Sequence, residues 1–334
     1  MIRVDGLSVR YGNIPALMDI SLSIQEGECV LITGPSGCGK STLARVLCGL
    51  IPHAIPAQVE GRVEVDGLDT LTQPIPQVAQ KIGMVFQRPA SQLFHLRVED
   101  EVAFGPRNLG LAEEEVQRRT EWALRATGMY DLRADKPSAL SGGQKQCVAI
   151  AAALAMRTRV LVLDEPTASL DVPNTRRVME ALAALRAEHG ITIILIEHRL
   201  ADAAQLAGRV ILMEEGRILA DGIPQEVFAD RQLRLRLGLR RPSDEPAVSW
   251  ETLIRANGSH PAEGQPLLEL QNVSAGFNGH AIIKEIQLTL YPGEFAALVG
   301  DNGAGKSTLA MVAAGLIKPQ AGLVRFDGGT RPRA

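Results

Sequence analysis

Residues 34–42 read Gly34-Pro35-Ser36-Gly37-Cys38-Gly39-Lys40-Ser41-Thr42 and match the pattern G-x-x-x-x-G-K-[ST]. In this pattern the glycines leave backbone N–H groups free to surround phosphate oxygens, and the helix that follows adds positive potential at its N-terminus. The apolar run Cys29–Thr33 predicts a buried strand, and Ser41–Leu50 predicts a helix that ends at Gly49. This order of strand, glycine loop and helix predicts an α/β fold that binds a nucleotide.

The same pattern recurs at an offset of 266 residues, as Gly300-Asp301-Asn302-Gly303-Ala304-Gly305-Lys306-Ser307-Thr308. Flanking residues keep this offset, since Gly27-Glu28 returns as Gly293-Glu294. A constant offset through the flanks predicts a duplicated domain rather than two unrelated loops. The prolines and glycines of residues 241–266 predict a linker. We therefore expect a complete domain over residues 1–240 and the N-terminal part of a second domain over residues 267–334.

The composition limits the classes of protein that this chain can belong to. It is 46% hydrophobic and 22% charged, which is typical of a globular α/β protein. A formal net charge of −3 argues against a broad basic surface for nucleic acid. The four cysteines show no C-x-x-C spacing, so we expect reduced thiols in a cytosolic protein. The longest apolar runs are too short to span a bilayer, so any membrane role is expected to come through a partner.

Two adjacent carboxylates, Asp164 and Glu165, follow a strand predicted over residues 159–163. In a site of this kind Lys40 is expected to neutralise the β- and γ-phosphates, and the Ser41 hydroxyl to ligate Mg²⁺. Asp164 is expected to hold the hydration shell of the Mg²⁺, and Glu165 to orient or deprotonate the attacking water. An acidic strand end without a ligand is the weaker interpretation, because adjacent carboxylates repel each other unless a cation is present.

A second glycine-rich turn, Ser141-Gly142-Gly143-Gln144 after Leu140, opens a helix predicted over Gly142–Met156. Its free N–H groups also suit an anion. Because the first loop already binds the phosphates of its own nucleotide, this turn predicts an ATP shared between two domains. With these residues the chain resembles the ATP-binding-cassette (ABC) ATPases, whose signature is L-S-G-G-Q. The resemblance covers residues 2 to about 230, and about 267 to 328 as the start of a second cassette.

The resemblance implies a fold and further site residues. The expected fold is an α/β P-loop NTPase cassette with a RecA-like parallel core, an antiparallel β subdomain and a helical signature subdomain. Tyr11 corresponds to the aromatic residue that stacks on adenine, with a plain core tyrosine as the alternative. Gln87 corresponds to the glutamine that contacts Mg²⁺ or water and senses the membrane partner. His198 corresponds to the switch histidine at the γ-phosphate, and Ser169-Leu170-Asp171 to the loop that crosses the dimer interface.

The resemblance also implies two cassettes arranged head to tail around ATP. Lys40, Ser41, Asp164, Glu165 and His198 would act on one nucleotide, while the signature turn reaches across to the other. In the second cassette Phe277 replaces Tyr11, and the expected nucleotide-binding residues are Gly300, Gly303, Gly305, Lys306, Ser307 and Thr308. Counterparts of the remaining motifs would lie beyond residue 334, so a truncated reading frame is expected. We expect turnover only when a second complete cassette is supplied by another copy, a paralogue or a restored segment.

Residues 91–111 closely resemble the ATPases of energy-coupling-factor (ECF) transporters, the group that imports cobalt and vitamins, and residues 196–200 agree with that group too. The implied partners are a transmembrane scaffold subunit and a substrate-capturing membrane subunit, with the protein peripheral at the cytoplasmic face of the membrane. The mixture of Leu93, Phe94, Val98 and Phe104 with charges suits a groove for a partner's helix. The alternative is a helical subdomain that covers only its own core.

Other classes of ABC protein remain alternatives at this point. A soluble tandem-cassette ATPase on ribosomes or nucleic acid predicts a long charged arm, whereas this linker is short; the basic run at residues 231–236 is the only feature in its favour. The ATPase of another transporter class is also open. A scaffold without turnover would lack Glu165 or His198, and both are present. The cargo stays open among a vitamin, a vitamin precursor and a transition metal ion.

Overall fold

The computed structural model describes residues 2–87, 92–168, 170–197, 203, 206–239, 265–277, 279–300, 304–326 and 329–330. The chain divides into two compact units, Met1–Pro246 and Ala247–Ala334. No helix in the described ranges is long and apolar enough to cross a bilayer.

The first unit has ten strands among its described residues. In chain order they are β1 (Ile2–Tyr11), β2 (Ile14–Ile24), β3 (Cys29–Thr33), β4 (Gln58–Val65), β5 (Leu68–Asp69), β6 (Ile82–Val85), β7 (Val160–Asp164), β8 (Thr192–Ile196), β9 (Arg209–Glu214) and β10 (Arg217–Gly222). The helices of this unit are α1 (Lys40–Leu47), α2 (Leu50–His53), α3 (Ile75–Val78), α4 (Val98–Asn108), α5 (Glu113–Ala126), α6 (Gly142–Met156), α7 (Val172–His189), α8 (Pro224–Val227) and α9 (Arg231–Arg236).

The central sheet has the strand order β10-β9-β3-β8-β7-β6. Its strands from β9 to β6 are parallel, and β10 adds to the edge as an antiparallel hairpin with β9. Every residue of β3, β7 and β8 is buried, because both faces of these strands are covered. The carboxyl ends of parallel strands lie at one edge, so the loops that follow β3, β6, β7 and β8 meet there.

Two hydrophobic cores flank this sheet. One core joins a face of the sheet to α1 and to a second, antiparallel sheet with the order β2-β1-β4-β5. The other core lies against α4, α5, α6 and α7, and includes Val102 and Val148. β3 supplies both cores, since Val30 faces the first and Leu31 the second. The P-loop NTPase cassette fold expected from the sequence is therefore confirmed.

The second unit has the strands β11 (Leu268–Phe277), β12 (His280–Leu290), β13 (Ala321–Phe326) and β14 (Gly329–Thr330), with helix α10 (Lys306–Ala313). The sheet order β12-β11-β13-β14 repeats that of β2-β1-β4-β5. A side-chain hydrogen bond between the first two strands is also repeated. Ser8 accepts from the Asp19 N–H at 3.0 Å, and Ser274, at the same offset, accepts from the Glu285 N–H at 3.0 Å. Residues 295–299, at the offset of β3, are not assigned to a strand.

Two predicted boundaries are corrected. The helix predicted over Ser41–Leu50 begins at Lys40 and ends at Leu47, since Gly49 adopts a left-handed φ of 69° that stops the helix. The strand predicted over residues 159–163 is Val160–Asp164, so Asp164 is itself a strand residue. The helix Gly142–Met156 is confirmed at both ends.

Candidate nucleotide-binding site

The glycines of the first phosphate-binding loop are required by the space around them. Gly34 and Gly39 have φ values of 146° and 105°, which residues with a side chain rarely adopt. A Cβ at Gly34 would lie 2.0 Å from the carbonyl oxygen of Met213, and one at Gly39 would lie 2.6 Å from that of Ala16. The loop therefore lies tightly against neighbouring backbone, and its shape is fixed by the fold.

Lys40 lies folded over this loop and is only 5% exposed. Its Nζ donates hydrogen bonds of 2.8 Å to the carbonyl oxygens of Gly34 and Pro35. The ammonium group is thus held inside the loop, where the loop N–H groups and the N-terminus of α1 also direct positive potential. The arrangement suits a phosphate chain that replaces the two carbonyl oxygens.

Asp164 places a carboxylate beside the N-terminus of α1. Its side chain is buried, and its Oδ1 has no hydrogen-bond partner among the described residues. Burial raises the pKa of Asp164, and the Glu165 charge acts in the same direction, while the Ser41 hydroxyl and the charges of Arg45 and Lys40 oppose it. An unpartnered buried oxygen beside a hydroxyl fits Mg²⁺, which prefers oxygen ligands and retains waters.

Glu165 follows β7 with a left-handed φ of 51° and donates its backbone N–H to the Ile196 carbonyl oxygen at 2.9 Å. Its Oε2 accepts a hydrogen bond of 2.8 Å from Gln87 Nε2. Both side chains border a cleft of about 250 Å³, whose other lining residues are Ala16, Ser36, Gly37, Gly39, Lys40, Ser41 and Thr42. The structure therefore brings the phosphate loop, Gln87 and Glu165 to one cleft.

The signature turn forms the N-terminal cap of α6. Ser141 Oγ accepts from the Gln144 N–H at 3.3 Å, and Gln144 Oε1 accepts from the Ser141 N–H at 2.9 Å. This reciprocal capping box fixes the turn and leaves Ser141 and Gly142 exposed. None of the residues 141–144 lines the cleft of the phosphate loop.

Tyr11, the residue that the resemblance pairs with adenine, is the last residue of β1 and is half-buried. Its ring packs against the core of the antiparallel sheet, and its hydroxyl is buried without a hydrogen-bond partner among the described residues. Because the ring is only half-buried, this packing leaves both the stacking role and the alternative of a core tyrosine as predictions. Phe277, at the same position of the second unit, is 47% exposed.

The second loop has the same local shape where it is described. Gly300 and Gly305 have φ values of 151° and 86°, and Lys306 Nζ donates to the Gly300 carbonyl oxygen at 2.6 Å. Ser307 is exposed and Thr308 is buried at the start of α10. Gly303, Ser169 and His198 lie outside the described residues, so their predicted roles stay predictions.

The sequence patterns do not single out two buried residues of the site, Glu197 and Thr167. Glu197 is buried at the end of β8, and its Oε1 accepts hydrogen bonds from the N–H and the hydroxyl of Thr167, at 3.0 and 2.6 Å. The available signal was a carboxylate directly after the nearly continuous apolar strand Thr192–Ile196, since a buried carboxylate requires dedicated donors.

A family model, curated relatives and solved structures all match this chain to ABC transporter ATP-binding proteins. The sequence profile of the ABC transporter family matches residues 17–168 and 283–333. A protein of Methanosarcina mazei, described as a candidate ABC transporter ATP-binding protein, is 36% identical over 93% of this chain. The chain spans 60% of that protein's length, and similar shares of other curated relatives.

Two solved structures have the fold of the first unit. CbiO1 from Clostridium perfringens, part of the ABC transporter complex CbiONQ, aligns with a TM-score of 0.61 and 37% identity over 72% of this chain and 94% of CbiO1. The ATP-binding cassette MJ0796, solved as a dimer in a post-hydrolysis state with ADP and phosphate, aligns with a TM-score of 0.60 and 30% identity. That alignment covers 67% of this chain and 98% of MJ0796.

Proposed function

The chain belongs to the ABC transporter family, and from this membership we propose that it hydrolyses ATP to drive transport across a membrane. The observation that carries the proposal is the 2.8 Å hydrogen bond between Gln87 and Glu165 at the mouth of the phosphate loop. It puts a carboxylate able to activate water beside the groups that bind phosphate. The sequence supplies Asp164 next to that carboxylate.

Each residue has a chemical task in this proposal. Lys40 and the loop N–H groups bind the β- and γ-phosphates, while Ser41, Asp164 and Gln87 would hold Mg²⁺. When bound, Mg²⁺ neutralises negative charge on the phosphate oxygens. Glu165 orients the water and accepts its proton, and His198 contacts the γ-phosphate. Catalysis then depends mainly on positioning and on stabilising the charge of the transition state.

We also propose that a second cassette completes the site. Ser141 and Gly142 are exposed at a helix N-terminus and do not line the cleft of their own unit, so they are available to the nucleotide of a facing cassette. The dimeric state of MJ0796 with ADP and phosphate supports this arrangement. The facing cassette comes from another copy, a paralogue or a longer form of this chain. The proposed organisation is a cassette over residues 1–240, a linker over residues 241–266 and the start of a second cassette over residues 267–334.

The finer proposal is an importer of the ECF type. The similarity to CbiO1, part of the CbiONQ complex, supports it. An aromatic cluster of Phe94, His95 and Phe104, with ring centroids 4.4 to 5.1 Å apart, supports a docking surface for a transmembrane scaffold subunit, because Phe94 and Phe104 are exposed and His95 is half-buried. Phe94 is 65% exposed and the adjacent Leu96 is 77% exposed. A substrate-capturing membrane subunit would then deliver a vitamin, a vitamin precursor or a transition metal ion, with this chain at the cytoplasmic face.

Glu165→Gln tests the proposed hydrolysis. Removing the general base lowers Mg-ATP turnover by at least about 100-fold, while ATP still binds because the phosphate loop is unchanged. Phosphate release and equilibrium ATP binding are measured on the same preparation with an added complete cassette domain. Glu26→Gln, which changes an exposed carboxylate elsewhere in the unit, is the matched control. Undiminished turnover in Glu165→Gln would refute the assigned role.

A further inference from the structure

We infer that Glu197 and Thr167 are positioning residues that hold the turn carrying Glu165 in register with the phosphate-binding loop. The inference rests on the proposed ATP hydrolysis. It assigns a task to a buried carboxylate that neither binds phosphate nor faces the cleft.

The first half of this connection is made by side chains. Glu197 is 2% exposed and Thr167 is 1% exposed. The Glu197 Oε1 accepts from both the N–H and the hydroxyl of Thr167, at 3.0 and 2.6 Å. Bonds to a charged acceptor are stronger than those between neutral groups, and this pair is shielded from water. Thr167 lies two residues after Glu165, so the carboxylate fixes the turn that carries Glu165.

The second half is made by the backbone of Glu197. Its carbonyl oxygen accepts a 2.8 Å hydrogen bond from the hydroxyl of Thr33, which is fully buried and directly precedes Gly34. Its N–H donates to the Ile32 carbonyl oxygen at 3.3 Å. One residue is therefore bonded both to the strand that leads into the phosphate loop and to the turn after β7.

The energetic cost of this arrangement argues for a specific task. A buried carboxylate is unfavourable unless it is well hydrogen-bonded, and an apolar residue at the end of β8 would avoid that cost. In return, the hydrogen bonds of Glu197 join the end of β3 to the turn after β7.

Thr167→Val is the discriminating variant, because it removes the hydroxyl donor and keeps the shape. We expect kcat to fall about tenfold and KM for ATP to stay within about twofold, since the phosphate loop is untouched. Thr167→Ser restores the hydroxyl and most of kcat. Combining Thr167→Val with Glu197→Gln lowers kcat less than the product of the two single effects, because both changes disturb one interaction.

Thr158→Val is the matched control. Thr158 is also buried, and its hydroxyl donates to the Val160 carbonyl oxygen at 2.8 Å, at the opposite end of β7. We expect this variant to melt at a lower temperature with kcat unchanged. A kcat loss in Thr167→Val no greater than in Thr158→Val, or an unchanged kcat, would overturn the inference.

Amide hydrogen exchange across residues 165–168 separates this inference from the proposed function. We expect faster exchange there in Thr167→Val and wild-type exchange in Thr158→Val, with or without turnover. If the unsubstituted chain shows no hydrolysis with a complete facing cassette, the proposed function is wrong. If amide hydrogen exchange across residues 165–168 is unchanged in Thr167→Val, the positioning role is wrong even where hydrolysis is present.

Discussion

Gln87 Nε2 and Glu165 Oε2 are joined by a hydrogen bond of 2.8 Å across 78 residues of sequence. The two side chains follow the neighbouring parallel strands β6 and β7. The amide thereby restrains the carboxylate that we propose activates water.

Gln87→Ala is expected to lower kcat for Mg-ATP by about tenfold, because Glu165 loses the donor that orients it. The affinity for ATP in the absence of Mg²⁺ should change little, since Lys40 and its loop are unaltered. Steady-state phosphate release and equilibrium ATP binding measure the two quantities. Gln80→Ala, at an exposed glutamine of the same unit, is the control. An unchanged kcat in Gln87→Ala would show that the hydrogen bond has no catalytic consequence.

Replacing Phe94 and Leu96 together by serine is expected to weaken co-purification with the transmembrane scaffold subunit by at least about tenfold. Both side chains are largely exposed, so the melting temperature and the basal ATPase rate should stay unchanged. Leu235→Ser is the matched control, because Leu235 is 68% exposed on α9, outside the aromatic cluster. Equal capture of both variants by detergent-solubilised scaffold subunit would contradict the docking surface.

Asp66 gives a pH dependence of stability that is independent of nucleotide. Its carboxylate lies 2.9 Å from Lys81 Nζ and 3.3 Å from Arg159 Nη1. Burial acts to raise the pKa of Asp66, but the hydrogen bond and charge of Lys81 and the charge of Arg159 outweigh it and hold this pKa below its ordinary value. The stabilisation is therefore present above the ordinary pKa of an aspartate and is lost as the pH falls through the lowered one.

Asp66→Asn should accordingly destabilise the protein by roughly 0.5 kcal/mol near pH 7 and by progressively less toward about pH 3. Urea unfolding at several pH values measures the difference. Asp5→Asn disturbs a more exposed ion pair, that with Arg3, and should show a smaller dependence. If Asp66→Asn lowers the free energy of unfolding by the same amount at every pH from 7 to about 3, the ion pairs of Asp66 are not the cause of the destabilisation.

Local sequence patterns predict the parts of the structure that are determined by residues close together in the chain. The loop at Gly34 to Thr42 and the helix Gly142–Met156 were found because glycine spacing and capping are encoded within a few positions. The sequence predicts the end of α1 at Gly49, whereas the helix ends at Leu47, because Cys48 is the C-cap and the left-handed Gly49 already lies outside the helix.

Pairings between distant residues were not accessible to the same reasoning. Glu197 and Thr167 are 30 residues apart and meet only because β7 and β8 are neighbours in the sheet. The position of the Tyr11 ring depends on packing against the antiparallel sheet, which a single aromatic residue in the sequence does not reveal. Tertiary packing decides such side-chain positions.

The hydrogen bonds of the Lys40 ammonium group to its own loop have a consequence for selectivity among anions. An incoming ligand must displace two carbonyl oxygens at 2.8 Å before it can use that charge. A lone inorganic phosphate replaces these partners with little net gain, whereas a triphosphate engages the lysine and the loop amides together. We therefore expect the loop to bind a triphosphate in preference to the small anions that are abundant in a cell, before any part of the base or sugar is recognised.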